Sequence, residues 1–139
     1  MSHNFNDWNR QIIEEFRAND GKVGGRFEGA PLLLLHTVGA KSGESRVNPV
    51  VYQADGDKLV VFASFAGQPK NPAWFHNLMA GGPASVEVGT DTFPVTARVT
   101  EGAERDRYWS KQKQAMPGFA DYEQKTTREI PVVVLTRAG

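Results

Sequence analysis

Val47-Asn-Pro-Val-Val-Tyr-Gln53 and Lys58-Leu-Val-Val-Phe-Ala-Ser64 flank the tetrapeptide Ala54-Asp55-Gly56-Asp57, and this stretch sets the architecture. Two β-rich runs around an Asp-Gly turn read as an antiparallel hairpin. Before it, Pro31-Leu-Leu-Leu-Leu35-His-Thr37 is a short apolar run suited to a buried strand. After it, residues 84–88 place Val86 and Val88 on one face. In 92–100, Phe93, Val95, Ala97 and Val99 alternate with Thr92, Pro94, Thr96 and Arg98, the period of a strand. Gly89-Thr-Asp91 joins those two, and Ile130-Pro-Val-Val-Val-Leu135 supplies a sixth strand. Six strands broken by short helical segments predict a mainly β (α+β) fold, a compact antiparallel barrel rather than an alternating β and α chain.

Helical spacing occupies the gaps. Phe5, Trp8, Ile12 and Phe16 form one stripe with Ile13 beside it, and Gly21, Gly24 and Gly25 break it. The opposite face carries Glu14, Glu15 and Asn19 instead of a basic strip, which argues against an anionic bilayer. Asn71 is placed to cap a second helix with Pro72 at its first position. That helix would turn Phe75, Leu78 and Met79 inward, with Trp74 and Asn77 sharing another face. Thr100 is placed to cap a third helix through Tyr108, Trp109, Gln112 and Ala115, ended by Pro117-Gly118. Residues 119–126 read as a short helical or irregular segment. The expected organisation is one domain over 1–139, with an N-terminal helix in 1–21 and the barrel and its helices in 29–136.

Composition narrows the function. A chain of 139 residues buries roughly 68–70% of its unfolded surface, so it needs no metal or disulfide staple. Sixteen basic and sixteen acidic side chains cancel, so no global pull toward nucleic acid is expected. Absence of cysteine rules out thiolate metal sites and thiol catalysis. No apolar run reaches the ~20 residues of a membrane span, and the start lacks a signal-peptide plan. A cytoplasmic protein, monomer or homodimer, without membrane association is the expectation. Gly21-Lys22 lacks the remaining P-loop residues, and Ser64 lacks the first glycine of a nucleophile elbow. His3, His36 and His76 have no zinc-like spacing, so no metal is expected.

What remains is a pair of polar loops. Val38-Gly-Ala-Lys41-Ser42-Gly-Glu-Ser45-Arg46-Val-Asn48-Pro49 and Gly67-Gln-Pro-Lys70-Asn71-Pro72-Ala-Trp74-Phe-His-Asn77 each set cations beside Gly, Ser or Asn. Loops of that composition bring side-chain charge and backbone N–H groups to an anion.

Residues 37–49 resemble the first signature of the deazaflavin-dependent nitroreductase family, and Lys70-Asn-Pro-Ala-Trp-Phe-His-Asn-Leu78 resembles its second. Asp121-Tyr122, Thr127-Arg128 and Ile130-Pro131 resemble its closing segment, and the enone- and quinone-reducing branch is the one expected. The resemblance implies a split β-barrel and coenzyme F-420, an 8-hydroxy-5-deazaflavin with a phosphate and an oligoglutamate tail. FMN, the ligand of the wider barrel class, ranks second. A non-catalytic F-420 store is the alternative from another functional class. The resemblance also implies coenzyme contacts at Ala40, Lys41 and Ser42, then at Arg46, Val47, Asn48, Pro49, Val50 and Val51. Further contacts fall on Phe62, Ala63, Ser64 and Phe65, on Lys70, and on Ala73, Trp74, Phe75, His76 and Asn77. Plain packing competes with contact at Trp74, Val50 and Val51. The acceptor, an activated enone, a quinone or a nitroaromatic, is expected beside Val51, Met116, Phe119 and Tyr122. Phe119 stands where some members have a proton-donating tyrosine. That leaves Ser64 or Tyr122 to polarise the acceptor, and disfavours nitro reduction.

Overall fold

The computed structural model describes residues 3–19, 21, 31–64, 71–126 and 129–138, with side chains from residue 10 onward. The Phe5 and Trp8 side chains, Phe65, Lys70 and the Thr127-Arg128 pair therefore lie outside the described residues. Six antiparallel strands close a barrel in the order β1-β2-β3-β6-β5-β4: β1 (Leu32–Val38), β2 (Ser45–Asp55), β3 (Lys58–Phe62), β4 (Ser85–Val88), β5 (Asp91–Val99) and β6 (Val132–Arg137). Helix α1 (His3–Ala18) precedes β1, α2 (Ala73–Met79) follows β3, and α3 (Gly102–Ala115) and α4 (Gly118–Lys125) lie between β5 and β6.

The expected hairpin is β2–β3, with Asp55 paired to Lys58 and Gly56 at φ +61°, a conformation that favours glycine. Strand alternation divides the apolar side chains into an inside and an outside. Leu33, Leu35, Val50, Val61, Ala63, Val86, Val95, Val133 and Leu135 fill the interior. Trp74 and Leu78 join that same cluster, so α2 stoppers one end of the barrel. Outside, Leu32 and Leu34 take Ile12 and Phe16 of α1. On another face, Val60, Phe62, Val132 and Val134 take Tyr108, Trp109 and Phe119 of α3 and α4.

Three local expectations change. Pro72, not Asn71, holds the N-terminal cap of α2, with extended ψ of 155°, and its carbonyl accepts the Phe75 N–H at 3.0 Å. The buried face of α2 is Trp74, Asn77 and Leu78, while Met79 is exposed. Thr100 does not cap α3: its hydroxyl donates to the Val132 carbonyl at 2.9 Å, and Glu101 takes the cap position.

Candidate coenzyme and acceptor site

Strand β2 belongs to two halves of the barrel. Ser45–Val51 pairs with β1, from Val38 down to Leu32. Only Tyr52–Asp55 pairs with β3. Beyond Val61, β3 stays with β6, and the Ala63 N–H donates to the Pro131 carbonyl at 2.9 Å. Among the described residues, no strand is laddered against the edge of 45–51 that faces away from β1. A split of this kind leaves main-chain donors and acceptors for a ligand.

The first polar loop sits at the head of that edge. It closes on itself: the Gly39 N–H donates to the Glu44 carbonyl at 2.8 Å, and the Gly43 N–H to the Gly39 carbonyl at 2.9 Å. The Glu44 N–H donates to the Ser42 hydroxyl oxygen at 3.2 Å. The turn is tight enough that a Cβ on Gly39 would lie 2.4 Å from that hydroxyl. The loop is joined to α2 through one side chain. Asn77 Oδ1 accepts the Ala40 N–H at 3.0 Å, and Asn77 Nδ2 donates to Thr37 Oγ1 at 3.1 Å. Asn77, the last residue of the second polar stretch, thus meets the first in space.

Around this junction, Ala40, Lys41, Ser42 and Arg46 are exposed. Arg46 reaches Glu44 at 3.2 Å, a pair in which both side chains are more than half exposed. Val47, Asn48 and Pro49 are half-buried. Val50 is interior packing, 8% exposed, and its backbone is paired with Leu33 of β1, so packing accounts for it. Val51 faces outward between the α1 and α3/α4 clusters. Trp74 is 7% exposed and committed to the interior. Ala73 and His76 are exposed, and His76 stands edge-on to Phe75 at 5.9 Å.

The residues expected around the acceptor are brought together, but as a packed cluster. Phe119 meets Phe62 at 5.8 Å, Trp109 at 6.2 Å and Tyr122 at 5.2 Å, all in edge-on geometry. It is buried, so it serves as the floor of any acceptor pocket and not as an open wall. Val51, Met116 and Tyr122 are only partly buried beside it. Ala63 and Ser64 are buried where β3 ends. Sequence reading missed a polar cluster that reaches Met116. Gln53 is buried under α3, and its Nε2 donates to the Tyr108 carbonyl and to Gln112 Oε1, each at 3.2 Å. Gln112 Nε2 in turn reaches Met116 Sδ at 3.4 Å. Gln53 Oε1 has no partner among the described residues. The only sequence signal is a glutamine in register with outward-facing Val51.

A second unanticipated cluster fastens α1. Arg17 grips Glu87 of β4 with two bonds of 3.1 and 2.7 Å, and His36 Nε2 lies 2.5 Å from the same carboxylate. The bonds from Arg17 and His36 hold the Glu87 carboxyl below the usual range against the opposing effect of burial. A shallow depression of about 240 Å³ lies beside it, lined by Arg17, Glu87 and the β4–β5 turn.

A six-stranded antiparallel barrel with an exposed cationic loop beside an open strand edge sets the fold class, and comparison with known proteins supplies the family. The family model of the F-420H(2)-dependent quinone reductases matches residues 8–137, and the chain belongs to that family. It is therefore an F-420-dependent oxidoreductase, with F-420 as its coenzyme. An F-420H(2)-dependent quinone reductase of Mycobacterium tuberculosis is 40% identical over 126 residues, 88% of this chain and 85% of the relative. A solved F-420-H2 dependent reductase is 40% identical with a TM-score of 0.68, covering 76% of this chain and 93% of that one. Another solved chain, described as a domain-swapped dimer, is 35% identical with a TM-score of 0.70, covering 97% of this chain and 99% of that one. None of the described helices is long and apolar enough to cross a membrane.

Proposed function

We propose that the chain reduces quinones at the expense of F-420H2, binding the coenzyme's anionic groups where the first loop, the start of β2 and α2 converge. The observation that supports this most is the Asn77 junction. It gathers Lys41, Ser42 and Arg46 at the head of a strand edge that, among the described residues, no strand occupies. Lys41 brings a point charge, and Arg46 a planar fork suited to phosphate or carboxylate. The Arg46–Glu44 pair is too exposed to compete strongly, since such pairs contribute only ~0–1 kcal/mol. The Ser42 hydroxyl accepts from Glu44 and keeps its own proton to donate.

Bound F-420H2 supplies a hydride. The protein's part is to hold the acceptor flat against an apolar surface and to deliver a proton to its oxygen. Val51, Met116 and Tyr122 present that surface, and Phe119 fixes its position from below. The Tyr122 and Ser64 hydroxyls are the proposed proton donors or carbonyl polarisers. A phenylalanine at 119 disfavours nitroaromatics, and quinones or activated enones need no donor there.

Fluorescence titration with F-420, followed by oxidation of F-420H2 with a panel of naphthoquinones, enones and nitroaromatics, tests the reading. The expectation is saturable binding and quinone turnover ahead of nitro turnover. Binding without turnover across the panel would mark a carrier, and tight binding of FMN instead would move the protein to the flavin branch.

A further inference from the structure

The geometry points to Asn77 and Thr37 as a latch that presets the anion-binding loop, with Asn77 acting as a positioning residue instead of a coenzyme ligand. This rests on the coenzyme reading of that loop. Asn77 and Thr37 are 7% and 3% exposed, so neither offers much surface to a bound molecule. Each end of the Asn77 amide is engaged inside the protein, the oxygen by Ala40 and the nitrogen by Thr37.

The loop needs such a tie. Its other described hydrogen bonds run among Gly39, Ser42, Gly43 and Glu44; they shape the turn and extend the β1–β2 ladder by one rung, but tie nothing beyond that rung to a neighbouring element. The Arg46–Glu44 pair is likewise local. Gly43, at φ +71°, leaves the backbone free to rearrange in any less ordered state. Among the described residues, the bond from the Ala40 N–H to Asn77 is the side-chain link that carries the loop onto a packed element. Thr37 extends the effect to the second cation, because it lies directly opposite Arg46 in the β1–β2 register. One buried amide therefore sets Lys41 through the adjoining Ala40 and Arg46 through the strand pair. Order established before binding spares the coenzyme the entropy of creating it.

Four variants test the latch: Asn77→Leu, Asn77→Asp, Thr37→Val and the double Asn77→Leu/Thr37→Val. Hydrogen exchange at the Ala40 amide is read without coenzyme, and Kd for F-420 by fluorescence. Asn77→Leu is expected to accelerate Ala40 exchange and to weaken F-420 by about five- to tenfold, the worth of one to one and a half net hydrogen bonds. The loss should fall on the coenzyme's KM more than on kcat. Asn77→Asp, which keeps the acceptor for Ala40, should restore most Ala40 protection. The double variant should bind no worse than Asn77→Leu alone, because the two residues act as one unit. Thr37→Val changes no volume, so it remains informative if Asn77→Leu folds poorly.

Unchanged Ala40 exchange in Asn77→Leu and Thr37→Val would overturn the latch. Additive losses of affinity in the double variant would overturn it too, since they would mean that Asn77 touches the coenzyme itself. If the wild-type protein fails to bind F-420, the coenzyme reading of the loop falls, while Ala40 exchange still decides whether the latch exists.

Discussion

The α3/α4 flank and the loop–α2 corner lie on the same barrel and are built in opposite ways. On the flank, Phe119 packs edge to face with Phe62, Trp109 and Tyr122, and the rim is sealed by Glu123, which accepts from Trp109 Nε1 at 2.6 Å and Lys113 Nζ at 3.1 Å. At the corner, charged side chains stand in solvent around a single buried amide. The flank contributes through buried apolar area, which gives stability but little chemical choice. The loop side of the corner buries almost nothing, so Lys41, Ser42 and Arg46 are free to be chosen for a ligand. The residues expected to shape acceptor choice sit on the flank, where a change that alters specificity also changes packing.

The sharpest break in this contrast is Phe119→Ala. Removing a buried ring from a close-packed cluster costs about 3–5 kcal/mol, which urea unfolding would register as a large drop in midpoint. An unchanged midpoint would mean that the flank is not core. Phe119→Tyr is gentler. The added hydroxyl must find a partner among Phe62, Trp109 and Tyr122, and an unmet one costs about 1–3 kcal/mol. The variant should keep F-420 affinity, lose some stability and gain nitroaromatic turnover. Collapse of coenzyme affinity in Phe119→Tyr would show that the ring supports the coenzyme and not the acceptor.

The corner should respond in the reverse sense. Lys41→Ala and Arg46→Ala should leave the unfolding midpoint nearly in place, since exposed substitutions usually lie within about ±0.5 kcal/mol. Each should weaken F-420 by roughly 0.2–1 kcal/mol, with the loss shrinking as salt rises. Titrations at low and high ionic strength decide it, and salt-independent or absent losses in both variants would remove the cations from the binding site.

The legible and the hidden parts of the molecule divide along a similar line. The six strands could be read because alternation and an Asp-Gly turn are local signals, and β2–β3 closes at Gly56 as expected. The two polar loops stood out through their composition and the family resemblance; within the described residues the second meets the first through Asn77. The phase of α2 was misread by one residue. Phe75, Leu78 and Met79 make a plausible apolar stripe, but the buried face includes Asn77, whose partners Thr37 and Ala40 lie about forty residues upstream. A polar residue at a core position looks like surface until its partners are known. Gln53 was missed for the same reason, its partners Tyr108 and Gln112 being more than fifty residues away. Thr100 misled in the other direction: it has a capping side chain, but the neighbouring strand took its hydroxyl.

The third region, where α1 meets β4, predicts a smaller and pH-dependent effect. Glu87 binds Arg17 and His36, and those bonds lower its pKa despite burial. A carboxyl whose folded pKa is depressed stabilises the fold fully above its unfolded value, about 4.3 for glutamate, and loses that contribution as pH falls through the lower folded value. Glu87→Gln keeps an acceptor for Arg17 but removes the charge. At neutral pH the variant should be less stable by up to about 1 kcal/mol, as expected for a partly exposed pair. The gap to wild type should stay constant down to about pH 5 and close below about pH 4. Urea unfolding of both proteins at pH 7, 5 and 3.5 measures it. A gap that persists undiminished at the lowest pH would assign the loss to altered packing of α1 instead of to the Glu87 charge.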